Sequence, residues 1–186
     1  MLVDTHCHIN DAEHFPDPVA VIRDARAAGV GRLVIIGVDI ESAMRAIEIA
    51  SANEGVYAAV GYHPNYTAEY ESKDVYKLES LLRHPKVVGF GEIGLDFYRE
   101  TSPSEKQYAA LHDQLELAGQ FDMPVIFHCR KADVHQLIDL VAEPEELSSN
   151  SYSRSLQAVR NKEPGIVGMR PPATLVGDGI PGIHAR

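Results

Sequence analysis

The sequence predicts an α/β fold built on a parallel sheet, and three observations predict it. Short apolar runs recur that are hydrophobic on both faces, as buried parallel strands are. Amphipathic segments alternate with them. The repeat is roughly 30 residues, the size of one β–α unit. The runs lie at residues 2–3 leading into His6, then 33–38, 56–61, 87–93 and 124–128, and they are rich in Val and Ile. Alternating β and α order gives parallel strands with right-handed crossovers.

Each intervening segment carries helix-end chemistry. Pro18 opens the first helix and Gly29 stops it. Asp39 caps a second with Ala43, Met44, Ile47 and Ala50 at helical spacing, and Gly55 ends it. A third spans roughly 72–83, with Val75, Leu78, Leu81 and Leu82 on one face. Ser104-x-x-Gln107 has the form of a capping box ahead of Tyr108, Leu111, Leu115 and Ala118. Asp133-x-x-Gln136 has the same form ahead of Leu137, Ile138 and Val141. Five β–α units fit two architectures: an open doubly wound sheet, or part of a (β/α)8 barrel. The first run is followed by no Gly-rich phosphate fingerprint, which counts against a dinucleotide-binding version.

Composition narrows the function. The chain has 186 residues, 45% hydrophobic, enough for one core. Its formal net charge is −10. Residues 143–186 hold five acidic and five basic side chains, so residues 1–142 carry all of the excess. An acidic chain is a poor fit to coating duplex DNA, which needs many Lys and Arg on phosphates. Small substrates or strand ends remain accessible where a metal supplies the positive charge. No apolar stretch is long enough to span a bilayer, and the N-terminus lacks the charged and apolar regions of a signal peptide. Cys7 and Cys129 each adjoin a histidine in an apolar run and suggest no disulfide framework, so a reduced, cytoplasmic protein is expected.

After Ala142 the character changes. Glu143-Pro144-Glu145-Glu146 is a charged break, and five serines crowd residues 148–155. Nine of the last twenty-three residues are Gly or Pro, which argues against further regular units. Residues 1–142 are expected to form one folded portion and 143–186 an irregular tail, whose only apolar hints are 156–159 and 173–176.

The candidate chemistry gathers where strands end. His6 and His8 are two apart, a spacing that puts both imidazoles on one face of a strand and makes half of a metal site. Two hydrogen-bonded loop histidines are the alternative. Glu92 sits among glycines at the end of an apolar run, where a carboxylate is costly to bury unless paired with Arg or Lys or bound to a cation. His128 ends another run; alone it reads as a core histidine, and beside His6, His8 and Glu92 as a further ligand. His63, in Gly61-Tyr62-His63-Pro64, and Arg130 are suited to an anionic group, Arg by its bidentate fork, or to a turn and a surface position respectively. Asp96 and Tyr98 are placed to support the ligands. Asp4 is expected to be structural, holding the loop or another ligand. His14, His84, His112, His135 and His184 lack a strand-end context.

Four segments together, Val3-Asp4-Thr5-His6-Cys7-His8, Gly61-Tyr62-His63-Pro64, Gly91-Glu92-Ile93-Gly94-Leu95-Asp96 and Pro124-Val125-Ile126-Phe127-His128-Cys129-Arg130, resemble the TatD family of metal-dependent hydrolases, in the family's order and spacing. The resemblance covers residues 1–142 and implies a TIM-type barrel with two divalent metal ions, from among Zn, Mg, Mn and Co. It implies that His6 and His8 bind the first ion, that Glu92 bridges both and is catalytic, and that His128 binds the second. His63 and Arg130 would then face the substrate phosphate. The implied activity is phosphodiester hydrolysis, of exonuclease type on DNA 3′ ends, by a metal-bound hydroxide. An esterase or amidase activity on the same barrel is one alternative.

The resemblance also implies two more ligands, a His after a sixth strand and a late Asp, and neither has a counterpart after Ala142. An impaired or inactive remnant, truncated or frame-shifted near Glu143, is therefore a second alternative. Five units cannot close a barrel that normally takes at least about 200 residues. The open edges would be covered by the tail or by self-association of two chains.

Overall fold

The computed structural model describes residues 1–121 and 123–133, together with the backbone of residues 173–177. Five strands and four helices alternate: β1 (Leu2–Cys7), α1 (Pro18–Ala27), β2 (Val30–Ile36), α2 (Ile40–Ala52), β3 (Val56–Val60), α3 (Val75–Leu82), β4 (Val87–Asp96), α4 (Ser104–Ala118) and β5 (Val125–Arg130). Every neighbouring pair is parallel and the spatial order is the chain order. A doubly wound sheet must reverse its order at a switch point, whereas a barrel advances one way throughout. The unreversed order therefore resolves the two architectures in favour of an arc of a TIM-type (β/α) barrel.

A sixth strand, β6 (Ala173–Gly177), lies parallel against β5, from Val125 opposite Ala173 to Cys129 opposite Gly177. In the sequence this stretch is only an apolar hint within an expected irregular tail. Pairing satisfies the outer backbone groups of β5, which would otherwise be an exposed edge. The helix expected after Asp133 falls outside the described residues.

Helix ends follow local chemistry. The Asp17 carboxylate accepts the Ala20 amide, with Pro18 at the first position of α1. Asp39 and Ser42 form a reciprocal capping box on α2. The third helix begins as a 3-10 turn at Ser72–Asp74. At α4 the expected capping box does not form. The helix starts at Ser104, with Pro103 as the flanking residue. Gln107 is instead buried and clamps the end of β4, accepting from the Asp96 amide at 2.8 Å and donating to the Asp96 carbonyl at 2.9 Å. Two turns on, Gln114 does the same for Tyr62 beyond β3.

Period-two alternation sorts the strands between two layers. Leu33, Ile35, Val56, Ala58, Val60, Val125 and Phe127 face the main core under the helices, where Leu78, Leu82 and Leu111 meet them. Ile36, Ala59 and Ile126 form a smaller cluster on the opposite face. His128 and Arg130 continue the parity of Ile126, so they belong to that inner face.

Candidate metal centre

Strand β4 holds the central carboxylate through an irregularity. Phe90 and Ile93 are both fully buried in the main core, although three residues apart. The register against β5 slips between Gly91 and Ile93, leaving Glu92 unmatched, as in a β-bulge. The extra residue lets Phe90 and Ile93 stay in the apolar layer while Glu92 turns inward. Gly94 permits the close packing this needs. Its φ is +146°, and a Cβ there would overlap the His128 carbonyl.

The side chains converge. His6 Nε2 lies 3.2 Å from His8 Nε2 and 3.4 Å from Glu92 Oε2. The other Glu92 oxygen lies 3.1 Å from His128 Nδ1. His128 Nε2 lies 3.1 Å from Asp96 Oδ2. The His63 ring sits 4.3 Å from that of His128, centroid to centroid. Two groups have ligand atoms mutually within 4.8 Å: His6, His8 and Glu92, and His63, Glu92 and His128. Asp4 accepts the His6 amide at 3.0 Å and holds the loop, as expected of it. Asp96 is fully buried beneath His128. Arg130 lines the cleft with its guanidinium 3.8 Å above the Tyr98 ring, so Tyr98 supports the arginine rather than a ligand.

A 780 Å³ cleft joins these residues with Asn10, Asn65, Tyr66, Arg99 and Thr101 on its wall. Sequence reasoning passed over Asn10 and Asn65. Asn10 donates to the Ile36 and Ser42 carbonyls, tying the loop after β1 to β2 and α2. Only their position next to a ligand motif could have marked either one. Among the described histidines outside the site, His14 pairs with Asp11 and His112 is exposed.

Electrostatics suit a cation. Burial pushes the Glu92 carboxyl up, but hydrogen bonds with His128 and His6 outweigh it and hold the group well below the usual carboxylate range. Asp96 is likewise lowered: burial opposes, and the Tyr98 amide, Asn65 and His128 prevail. Burial takes His63 down to about 4 and, with His6 beside it, lowers His8. His128 moves up, since Glu92 and Asp96 overcome its burial. Neutral imidazoles and ionised carboxylates are the forms that bind metals. Two nitrogens each about 2.1 Å from one tetrahedral cation stand about 3.4 Å apart, close to the His6–His8 separation. The donor set fits a divalent ion.

Comparison with known proteins gives one family. The family model described as "TatD related DNase" matches residues 3–160. The uncharacterized metal-dependent hydrolase YabD of Bacillus subtilis is 36% identical over 132 residues, 71% of this chain and 52% of that protein. A protein of Pantoea vagans named 3'-5' ssDNA/RNA exonuclease TatD is 34% identical over 144 residues, 77% of this chain and 55% of its own length. The crystal structure of YjjV, a TatD homolog from Escherichia coli K12, superposes with a TM-score of 0.68 at 34% identity, covering 74% of this chain and 54% of that one. The chain spans about half the length of the relatives it matches.

Proposed function

The chain belongs to the family of TatD-related DNases, which are metal-dependent hydrolases, and from that premise we propose that it hydrolyses phosphodiester bonds at the 3′ ends of DNA strands. One observation carries the reading: His6, His8, Glu92 and His128, from three strands, converge on a single cleft. We assign His6 and His8 to a first divalent ion, His128 to a second, and Glu92 to both. A bound ion supplies an activated water and positive charge against the developing charge on phosphorus.

The remaining steps belong to side chains. Glu92 presents one carboxylate oxygen to each side of the centre. With an ion held at His128 Nδ1, Asp96 would accept from His128 Nε2–H and hold the ring in place. Arg130, braced on Tyr98, pairs with a phosphate through its fork. His63 faces the scissile group from the wall of the cleft. Strand ends suit an acidic chain better than long duplexes, which need an extended basic surface.

The test incubates the chain with 3′-labelled single-stranded DNA and Mg, Mn, Zn or Co in turn. Stepwise nucleotide release is expected with at least one ion. Chelation should abolish it, and Glu92→Gln should reduce it at least about a hundredfold. No release with any ion, in protein of native spectrum, would leave the inactive-remnant reading. Turnover of esters or amides alone would replace the phosphodiester reading.

A further inference from the structure

We propose that Tyr66 and Arg99 form a nucleotide subsite beside the metal centre, in which an unpaired base stacks on the Tyr66 ring and its phosphate pairs with the Arg99 guanidinium. This deepens the nuclease reading above and rests on it for the class of ligand.

Tyr66 closes the 3-10 turn Pro64–Tyr66 that follows β3. The turn is held firmly. The Tyr66 amide donates to the His63 carbonyl at 2.9 Å, and the buried Thr67 hydroxyl donates to the Pro64 carbonyl at 2.9 Å. Asn65 ties the turn to the loop after β4: its side-chain nitrogen donates to Asp96 at 2.9 Å, and its carbonyl accepts the Thr101 hydroxyl at 3.0 Å. Arg99 sits in that loop, its amide donating to the other Asp96 oxygen at 3.3 Å. Tyr66 and Arg99 are therefore mounted on one cross-braced corner of the cleft, which both line.

On this firm mount Tyr66 is 52% exposed. Its ring meets that of His63 nearly perpendicularly, at 83° and 6.0 Å between centroids. Such a contact takes one face of the ring at most, so a face is left for stacking. Every base has a π-face to offer. Inside a duplex both faces of a base are covered, so the subsite takes an unpaired one. A base stacked there neighbours the scissile group that His63 faces.

The charge of the cleft points the same way. Strand order puts the loops after β1 and β2 on one arm of the arc and those after β4 and β5 on the other. The lining of the first arm carries Asp11 and Asp39, and that of the second carries Arg99 and Arg130. Lys131 adds a cation to the second arm, 4.8 Å above the Tyr98 ring. Asp96 is buried beneath this wall with both oxygens engaged, so the exposed lining charge is positive. In a chain of net charge −10, a polyanion is drawn to this arm. The cleft of 780 Å³ exceeds what a phosphate fills and suits a nucleotide.

Two strands of equal charge separate the two roles: oligothymidylate, and an abasic strand with the same phosphate spacing. Each is labelled at its 5′ end and titrated with the full chain in EDTA, so that neither is cut, and fluorescence anisotropy reads binding. The wild type should bind oligothymidylate about 5- to 100-fold more tightly than the abasic strand. Tyr66→Ala should remove most of that preference, and Tyr66→Phe should keep it. Arg99→Ala should weaken both strands by the same factor and reduce the salt slope by about one phosphate contact. The chain has no tryptophan, so Tyr66→Trp adds a single reporter, whose emission oligothymidylate should quench and the abasic strand should not.

Equal binding of the two strands by the wild type overturns the proposal without any variant having to fold, and so does no binding of either. A preference that survives Tyr66→Ala, an unquenched Tyr66→Trp, or unchanged affinities in Arg99→Ala would do the same. A preference that depends on Tyr66, in a chain that cuts no DNA with any ion, supports the subsite and sinks the hydrolysis. Cleavage by a chain whose base preference ignores Tyr66 leaves the hydrolysis and sinks the subsite.

Discussion

Glu92 shows at single-residue scale why the site looks built for a cation. Its burial is offset by His128 and His6, and around it the rings of His63 and His128 are shifted in opposite directions. His63 has a folded value of about 4, below its unfolded value, so the unfolded chain binds more protons between the two. Stability must therefore fall as pH drops from about 6.5 to 4, by about 3 kcal/mol from this ring. Glu92, depressed in the folded state, adds to the same acid-side loss below its unfolded value. His128 is raised, so its contribution is complete below about pH 6.5 and is lost as pH rises through its folded value. The metal-free chain should be most stable near pH ~6.5, as urea midpoints across pH 4–9 would show. A monotonic rise beyond pH ~8 would contradict the assigned shifts.

At the scale of elements, the packing of β4 against β5 sets the positions of Glu92 and His128. Gly94 combines a φ of +146° with no room for a Cβ. Gly29, after α1, has a φ of +92° and nothing within 4 Å of an added Cβ. Gly29→Ala should cost only the left-handed backbone term, about 1–2 kcal/mol. Gly94→Ala adds a backbone collision and should cost at least about 3 kcal/mol, with loss of whatever His128 binds. Denaturation midpoints of the two variants give the comparison, and equal costs would mean that β4 and β5 are less closely packed than described. The glycines around Glu92 were legible in the sequence. The register slip was not, because a bulge is a relation between two strands, and only the spacing of Phe90 and Ile93 hints at it. Gln107 misled for a similar reason. Its spacing from Ser104 satisfies a local capping pattern, and the strand end that captures it is eleven residues away in sequence.

Across the whole molecule, the alternation of apolar runs and amphipathic segments was enough to predict a parallel α/β arrangement. The choice between winding schemes needed the strand order, which periodicity does not encode. The strand at Ala173–Gly177 was scarcely visible, because five apolar or small residues among Gly and Pro gain strand character only from the edge of β5. The candidate site motifs were legible because His6, His8, His63 and His128 lie at or near the C-terminal ends of their strands, where a one-way parallel sheet brings them to one rim, while Glu92 lies further back within β4. Among the described residues, no helix is long and apolar enough to cross a membrane.

The central claim is that this rim binds divalent ions through His6, His8, Glu92 and His128. Calorimetric titration of the purified, metal-stripped chain with zinc and with manganese tests it most directly, alongside His6→Ala and Glu92→Ala with circular dichroism as the folding control. The account predicts saturable binding by the wild type and at least a roughly hundredfold loss in both variants at unchanged secondary structure. Equal binding by all three proteins, or none by the wild type, would contradict it.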